Sequence, residues 1–194
     1  VRFIAFGGLA ISDNNGESFV RYSTVPVFER TEEASLFRVP HTVMLDNAKF
    51  KFWYGGGSSY IDGTNKTLPV YNIRYLESNS LINIPDKGIE VLDTIDEEHR
   101  VGRPNVLKDN ELFKMYFGFG SDKKPYQLGY AESRDGKNWS RDDLKLGLPL
   151  SSSGWDSEMM AYPCVVKVNN KTYMFYNGNE YGKYGFGYAE LVQE

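Results

Sequence analysis

Gly102-Arg103-Pro104-Asn105-Val106-Leu107, Phe113-Lys114-Met115-Tyr116-Phe117-Gly118 and Tyr126-Gln127-Leu128-Gly129-Tyr130-Ala131-Glu132-Ser133 are three short runs whose reading decides the fold. The second and third are rich in aromatic residues, each run is short, and turn residues such as Asp109-Asn110 stand between them. The same order recurs upstream as Arg38–Leu45, Phe50–Gly55 and Tyr71–Ser78, and downstream as Ala161–Val166, Tyr173–Gly178 and Tyr184–Leu191. The prolines that open the units, Pro40, Pro104 and Pro163, are 64 and then 59 residues apart. A proline there suits the first residue of a strand, where no ladder donor is needed. In each third run two tyrosines stand four residues apart (Tyr71 and Tyr75, Tyr126 and Tyr130, Tyr184 and Tyr188), on one face of a strand.

A motif repeated in register, with four short antiparallel strands per unit, predicts an all-β chain: a β-propeller of four-stranded antiparallel blades. A β-sandwich is the competing architecture, but it need not repeat its motif in register. The N-terminus carries only the outer half of the motif. Gly8-Leu9-Ala10-Ile11-Ser12 parallels Gly129–Ser133, and Gly16-Glu17-Ser18-Phe19 parallels Gly136–Trp139. The expected division is a single propeller domain over 1–194, with a partial blade over 1–36 and blades over 37–98, 99–153 and 154–194. The last unit stops after its third strand. Closure of the ring is therefore expected from missing N-terminal blades or from self-association.

Composition narrows the function classes. The chain has 14 Tyr, 12 Phe, 3 Trp and 19 Gly, which suits pleated strands joined by tight turns. Its net charge is −4 with both signs dispersed, so no basic patch invites nucleic acid. No apolar run approaches the roughly 20 residues that span a bilayer, so no membrane partner is expected. Phe3–Ile11 is too short and Gly-rich for a signal peptide. A single cysteine, Cys164, leans towards a reducing, cytoplasmic compartment. The chain opens on Val1 rather than Met, which leaves a secreted or periplasmic location open.

The stretch Gly154-Trp155-Asp156-Ser157-Glu158-Met159-Met160-Ala161-Tyr162-Pro163, with Tyr173–Asn179 and Gly182–Gly187, resembles bacterial relatives of five-bladed glycosidases associated with polysaccharide biosynthesis. The Arg-Pro-x-Val opening at Arg103–Val106 and the Ala-Glu-Ser-x-Asp-Gly-x-x-Trp run at Ala131–Trp139 carry the same resemblance, which covers most of the chain. The wider superfamily groups arabinanase/xylosidase, invertase and mannoside-phosphorylase families. The resemblance implies an incomplete five-bladed ring, a central funnel lined by the first strand of each blade, and a site around Arg38, Arg103 and Glu158. It also implies a departure. In the arabinanase-like pattern an acidic residue precedes the opening proline by one or two positions, and here Arg38 and Arg103 stand there. The catalytic base or nucleophile of these families sits in a first blade, which lies outside the motifs matched here.

Glycoside hydrolysis needs two carboxyl groups, one kept protonated by a partly desolvated setting. Glu158, between Trp155 and Tyr162, is the leading candidate and Asp156 the second; either could instead bond turn amides or an arginine. Arg38, Arg100 and Arg103 stand at or just before opening strands, where guanidinium forks would favour an acidic sugar, a phosphorylated sugar or phosphate. Inter-blade salt bridges are the alternative for all three. His41 and His99 could donate to a sugar hydroxyl or relay a proton, or be satisfied within the fold. Trp155, in a Ser-Gly-rich loop, is a candidate stacking platform, with Tyr162 beside it. Asn177 is a candidate for sugar hydroxyls or for turn formation. No His/Cys spacing supports a metal, and no cofactor is indicated. The expected activity is that of a glycosidase-like protein acting on a bacterial glycan or glycan precursor, with carbohydrate as its partner. A non-catalytic carbohydrate-binding propeller is the alternative, and a protein-interaction scaffold ranks behind both.

Overall fold

The computed structural model describes residues 2–192. The three repeats fold as three antiparallel meanders. The first comprises β4 (Phe37–Asp46), β5 (Lys49–Asp62), β6 (Thr67–Ser78) and β7 (Ile89–Leu92). The second comprises β8 (Glu98–Asp109), β9 (Leu112–Ser121), β10 (Gln127–Ser133) and β11 (Ser140–Arg141). The third comprises β12 (Ala161–Val168), β13 (Lys171–Asn177) and β14 (Phe186–Glu190). Ahead of them lie β1 (Ala5–Phe6), which runs parallel to β4, and a hairpin of β2 (Ala10–Ile11) and β3 (Val20–Arg21). One turn of 3-10 helix (Asp143–Leu146) and a tight turn at Asn179–Gly182, left-handed at Glu180 and Tyr181, interrupt the strands among the described residues.

Turn chemistry fixes the strand ends. Asn47 and Ala48, and again Asn169 and Asn170, take positive φ in succession, the geometry that matches a tight hairpin to the twist of its strands. The repeat is also written in side-chain bonds. Ser12, Ser78 and Ser133 each accept at Oγ from the N–H two residues on, in Asn14, Ser80 and Asp135, at 3.4, 3.0 and 3.3 Å. The N-terminal hairpin thus shares this serine bond with the ends of β6 and β10.

The sheets pack face to face in chain order, and each interface is an apolar layer. Trp53, Ile73 and Tyr75 of the first meander meet Val101, Met115 and Phe117 of the second. Leu128 of the second meets Val165, Met174 and Tyr176 of the third. Trp53 is fully buried, and its indole N–H donates to the Gly136 carbonyl at 2.9 Å. Burial of a side chain of this size contributes about 1.5–3 kcal/mol, so these layers supply most of what holds sheet to sheet. The outward face of β13 and β14 is left without such a layer: Phe175, Phe186 and Tyr188 are exposed there.

The first strands of the three meanders lie side by side, joined by polar clamps. Thr42 Oγ1 on β4 donates to the Pro104 carbonyl at 2.8 Å and accepts from the Val106 N–H at 3.0 Å. Asn105 Oδ1 on β8 accepts from the Val165 N–H of β12 at 2.8 Å. Each first strand carries a register shift at its proline: between Pro40 and Thr42, Gly102 and Asn105, and Ala161 and Cys164. Such bulges bend a strand and re-aim the side chains at the shift. If the clamp sets the spacing of the first strands, Thr42→Val leaves the Val106 N–H and Pro104 carbonyl unpaired and destabilises the fold by about 1–3 kcal/mol. The expected readout is a lower urea midpoint with an unchanged slope; an unchanged midpoint removes the clamp from the account.

Candidate functional site

The heads of β8 and β12 carry two backbone outliers at equivalent places. Arg103 has φ 54° and Tyr162 has φ 62°, and each precedes a proline. A residue before proline is ordinarily extended, and a non-glycine residue at positive φ costs of order 1–3 kcal/mol. The surrounding ladder holds both there, and the bulges bring the side chains together. The Arg103 guanidinium carbon lies 3.8 Å from the centroid of the Tyr162 ring. Tyr181, at φ 61° within the turn after β13, stacks on the same ring at 6.0 Å.

Behind this stack is a cavity of about 350 Å³ whose walls include Tyr71, Arg100, Tyr126, Tyr162 and Tyr181. Tyr71 and Tyr126, which open the third runs of successive repeats, bond hydroxyl to hydroxyl. Burial pushes the Tyr71 phenol well above the usual range and raises that of Tyr162, so both stay protonated. Arg100 is 7% exposed and lies over Tyr126, 4.2 Å from its centroid. Its Nη1 bonds His99 Nε2 at 3.0 Å, while His99 Nδ1 bonds the Pro69 carbonyl at 2.7 Å. The carbonyl can only accept, so Nδ1 carries the proton and Nε2 accepts from the arginine. His99 is therefore satisfied within the fold, and it orients Arg100. His41, the residue at the β4 register shift, is half-buried near Gly55; burial first and Arg103 second lower its pKa to about 4.

Other expected site residues lie elsewhere. Arg38 does not reach this cavity: it is 2% exposed, donates to the Glu29 and Pro85 carbonyls, and lies over the Phe28 ring at 4.2 Å. Its carboxylate neighbour is Glu33 at 3.8 Å. Asp156 is buried and accepts from the Tyr176 hydroxyl at 2.9 Å, and burial and this bond push the phenol up to about 12. Glu158 lacks the expected desolvated setting, because its side chain is exposed; its N–H donates to Asn179 Oδ1 at 2.9 Å. Trp155 is not a free platform. Its ring stacks on Tyr176 at 5.3 Å, and Gly178 and Gly187 sit so close that a Cβ on either would collide with it. Asn177 donates to the Tyr181 carbonyl at 3.0 Å and so serves the turn that presents Tyr181.

Two features escaped the sequence reading. Tyr71 and Tyr126 look like repeat packing, and only their shared place at the head of the third run hints that they meet. Glu33 has no motif around it, yet its side chain is 7% exposed, accepts from Tyr54 and from the Gly88 N–H, and pairs with Arg74 at 3.4 Å. It borders a broader cavity of about 780 Å³ with Arg30, Thr31 and Lys87. With its oxygens already engaged, Glu33 ties the N-terminal segment to the first meander.

No family model matches the chain. It is 32% identical over 185 residues to the uncharacterized protein Rv1502 of Mycobacterium tuberculosis strain H37Rv, and equally to an uncharacterized protein of strain CDC 1551. Each match covers 95% of this chain but 60% of the relative, so the chain spans about three fifths of the curated relatives' length. Among solved structures it superposes on a thermostable family-43 glycoside hydrolase with a TM-score of 0.70 at 17% identity, covering 96% of this chain and 63% of that one. A family 117 glycoside hydrolase of Zobellia galactanivorans gives 0.62 at 16%, over 78% and 50%. The family 32 β-fructofuranosidase of Bombyx mori gives 0.58 at 18%, over 86% and 35%. These neighbours all belong to the five-bladed β-propeller superfamily. The chain has the glycosidase-like propeller fold. The curated relatives carry no assigned activity, so the likeness to solved structures speaks for the fold.

His41 gives this site a direct test. A folded pKa near 4, against about 6.5 when unfolded, means the unfolded chain binds the extra proton first as pH falls. Its contribution to stability is complete above pH 6.5 and is lost progressively as pH falls through about 4. In NMR titration the His41 ring protons should move with a midpoint near pH 4. A midpoint near 6.5 places His41 in open water and contradicts the geometry.

Proposed function

We propose that the protein is carbohydrate-active and glycosidase-like, acting on a bacterial glycan or glycan precursor through a central propeller pocket. The observation that carries this reading is the cavity at the heads of the adjoining first strands, where the exposed Tyr181 ring offers an aromatic surface, backed by Tyr162 and Tyr126, and Arg100 offers a buried donor. Aromatic faces beside a few polar groups suit a sugar ring, apolar on its C–H faces and hydroxylated at its edge. The likeness to glycoside hydrolases supports it at the level of fold. In this reading 1–36 is a partial blade, 37–98, 99–153 and 154–194 are blades, and further sheets on the exposed face of β13 and β14 would complete the ring.

In this reading Glu158, whose exposed side chain has no hydrogen-bond partner among the described residues, contacts substrate, and it serves as the acid–base carboxylate only if bound saccharide supplies the desolvation that the free chain does not. Asp156 supports it only through the loop they share. A second reading, a carbohydrate-binding propeller without turnover, is favoured by one observation: Arg103 and Tyr162, not carboxylates, stand before the opening prolines of β8 and β12. Glu158→Gln separates the two. Against a panel of bacterial polysaccharides and oligosaccharides, loss of a general acid should lower turnover by about 100-fold or more while the melting profile is kept. Unchanged turnover removes Glu158 from the chemistry, and saccharide binding with no turnover in the parent chain supports the binding reading.

A further inference from the structure

The cavity walls hold an imbalance that the fold itself does not resolve. Arg100 is buried, yet its Nε has no hydrogen-bond partner and Nη1 bonds only neutral His99. Neither Arg100 nor Arg103 pairs with a carboxylate among the described residues. No acidic side chain lines the cavity, and Lys66 at its edge adds a further positive charge. A buried cation without a counter-charge is costly; buried Arg38, whose Nε is also unpaired, faces Glu33, and half-buried Arg141 holds Glu98 and Asp143. The strain at Arg103 and Tyr162 adds a second anomaly. Residues are kept at unfavourable φ where the surroundings over-determine them, and outside turns such residues cluster at active sites, ligand clamps and switch regions. Here the strain holds a guanidinium against a tyrosine face at the wall of the uncompensated cavity.

We propose that this cavity is a subsite for an oxyanion carried on a saccharide, a carboxylate or a phosphate, held by Arg100, with the sugar ring against Tyr181 and with Arg103, packed on the Tyr162 ring just outside the cavity, positioning that wall. It rests on the carbohydrate reading above and specifies the class of saccharide. Guanidinium groups bind both oxyanions through paired N–H donors. Of the bonded Tyr71 and Tyr126 hydroxyls, one keeps a proton free to donate to the same anion. Thr67 and Lys66 at the mouth are further donors.

The test is calorimetric titration of the 194-residue chain with glucuronate, glucose 1-phosphate, glucose and inorganic phosphate at matched ionic strength. A charged sugar should bind about tenfold or more tightly than glucose, the difference expected for charge-assisted bonds. Whichever of glucuronate and glucose 1-phosphate binds better identifies the source of the anion. Arg103→Gly relieves the positive φ, so its denaturation midpoint should hold or rise while the charged sugar loses about tenfold or more. Arg100→Lys keeps the charge but loses the fork, and should lose a similar factor. Glucose binding as tightly as the charged sugars overturns the anion subsite and leaves the carbohydrate reading standing. Phosphate binding as tightly as glucose 1-phosphate overturns the saccharide half and the carbohydrate reading with it. Full affinity in a folded Arg103→Gly variant removes the strained stack from the site.

Discussion

Thr42 and Asn105 hold the first strand of one sheet to the first strand of the next, and the rest of the structure depends on that spacing. A sheet packed on a sheet through Trp53, Phe117 or Met174 can slide, because apolar layers are not directional. A side chain bonded to a neighbouring main-chain group cannot. The clamps therefore convert a stack of sheets into a fan with a shared inner edge. The bulges at the prolines lie on that edge, and they turn Arg103 and Tyr162 towards each other.

The strand plan was legible in the sequence because one motif is repeated in register. Tyr71–Ser78 and Tyr126–Ser133 fall on β6 and β10 to within a few residues, and Asn47, Asn110 and Asn169 make the turns at positive φ. The site was legible only in part. Arg38 and Arg103 look interchangeable, each close before a proline, but they stand two and one residues from it. Successive side chains on a strand point to opposite faces, so that single residue sends Arg38 into the fold beside Glu33 and leaves Arg103 exposed. No local pattern reports the strain, because the residue before proline is expected to be extended.

Trp155 shows the opposite error. Its Ser-Gly-rich loop suggests an open surface, whereas the absence of side chains at Gly178 and Gly187 makes the slot that its ring fills against Tyr176. Glycines across a sheet were the available signal, and they lie more than 20 residues away in sequence. The aromatic group at the cavity is instead Tyr126, Tyr162 and Tyr181, which joins the second and third meanders. Asn177 and Asn179 contribute indirectly, by fixing the turn that carries Tyr181 and the loop that carries Glu158.

The claim at the centre of this account is that saccharide meets the tyrosine cavity and not the tryptophan loop. The direct measurement is an NMR titration of ring-labelled tyrosine and tryptophan with a binding oligosaccharide. The account predicts that Tyr126, Tyr162 and Tyr181 ring signals move together to saturation while the Trp155 indole stays in place. A Trp155 signal that shifts with the tyrosines silent would contradict it.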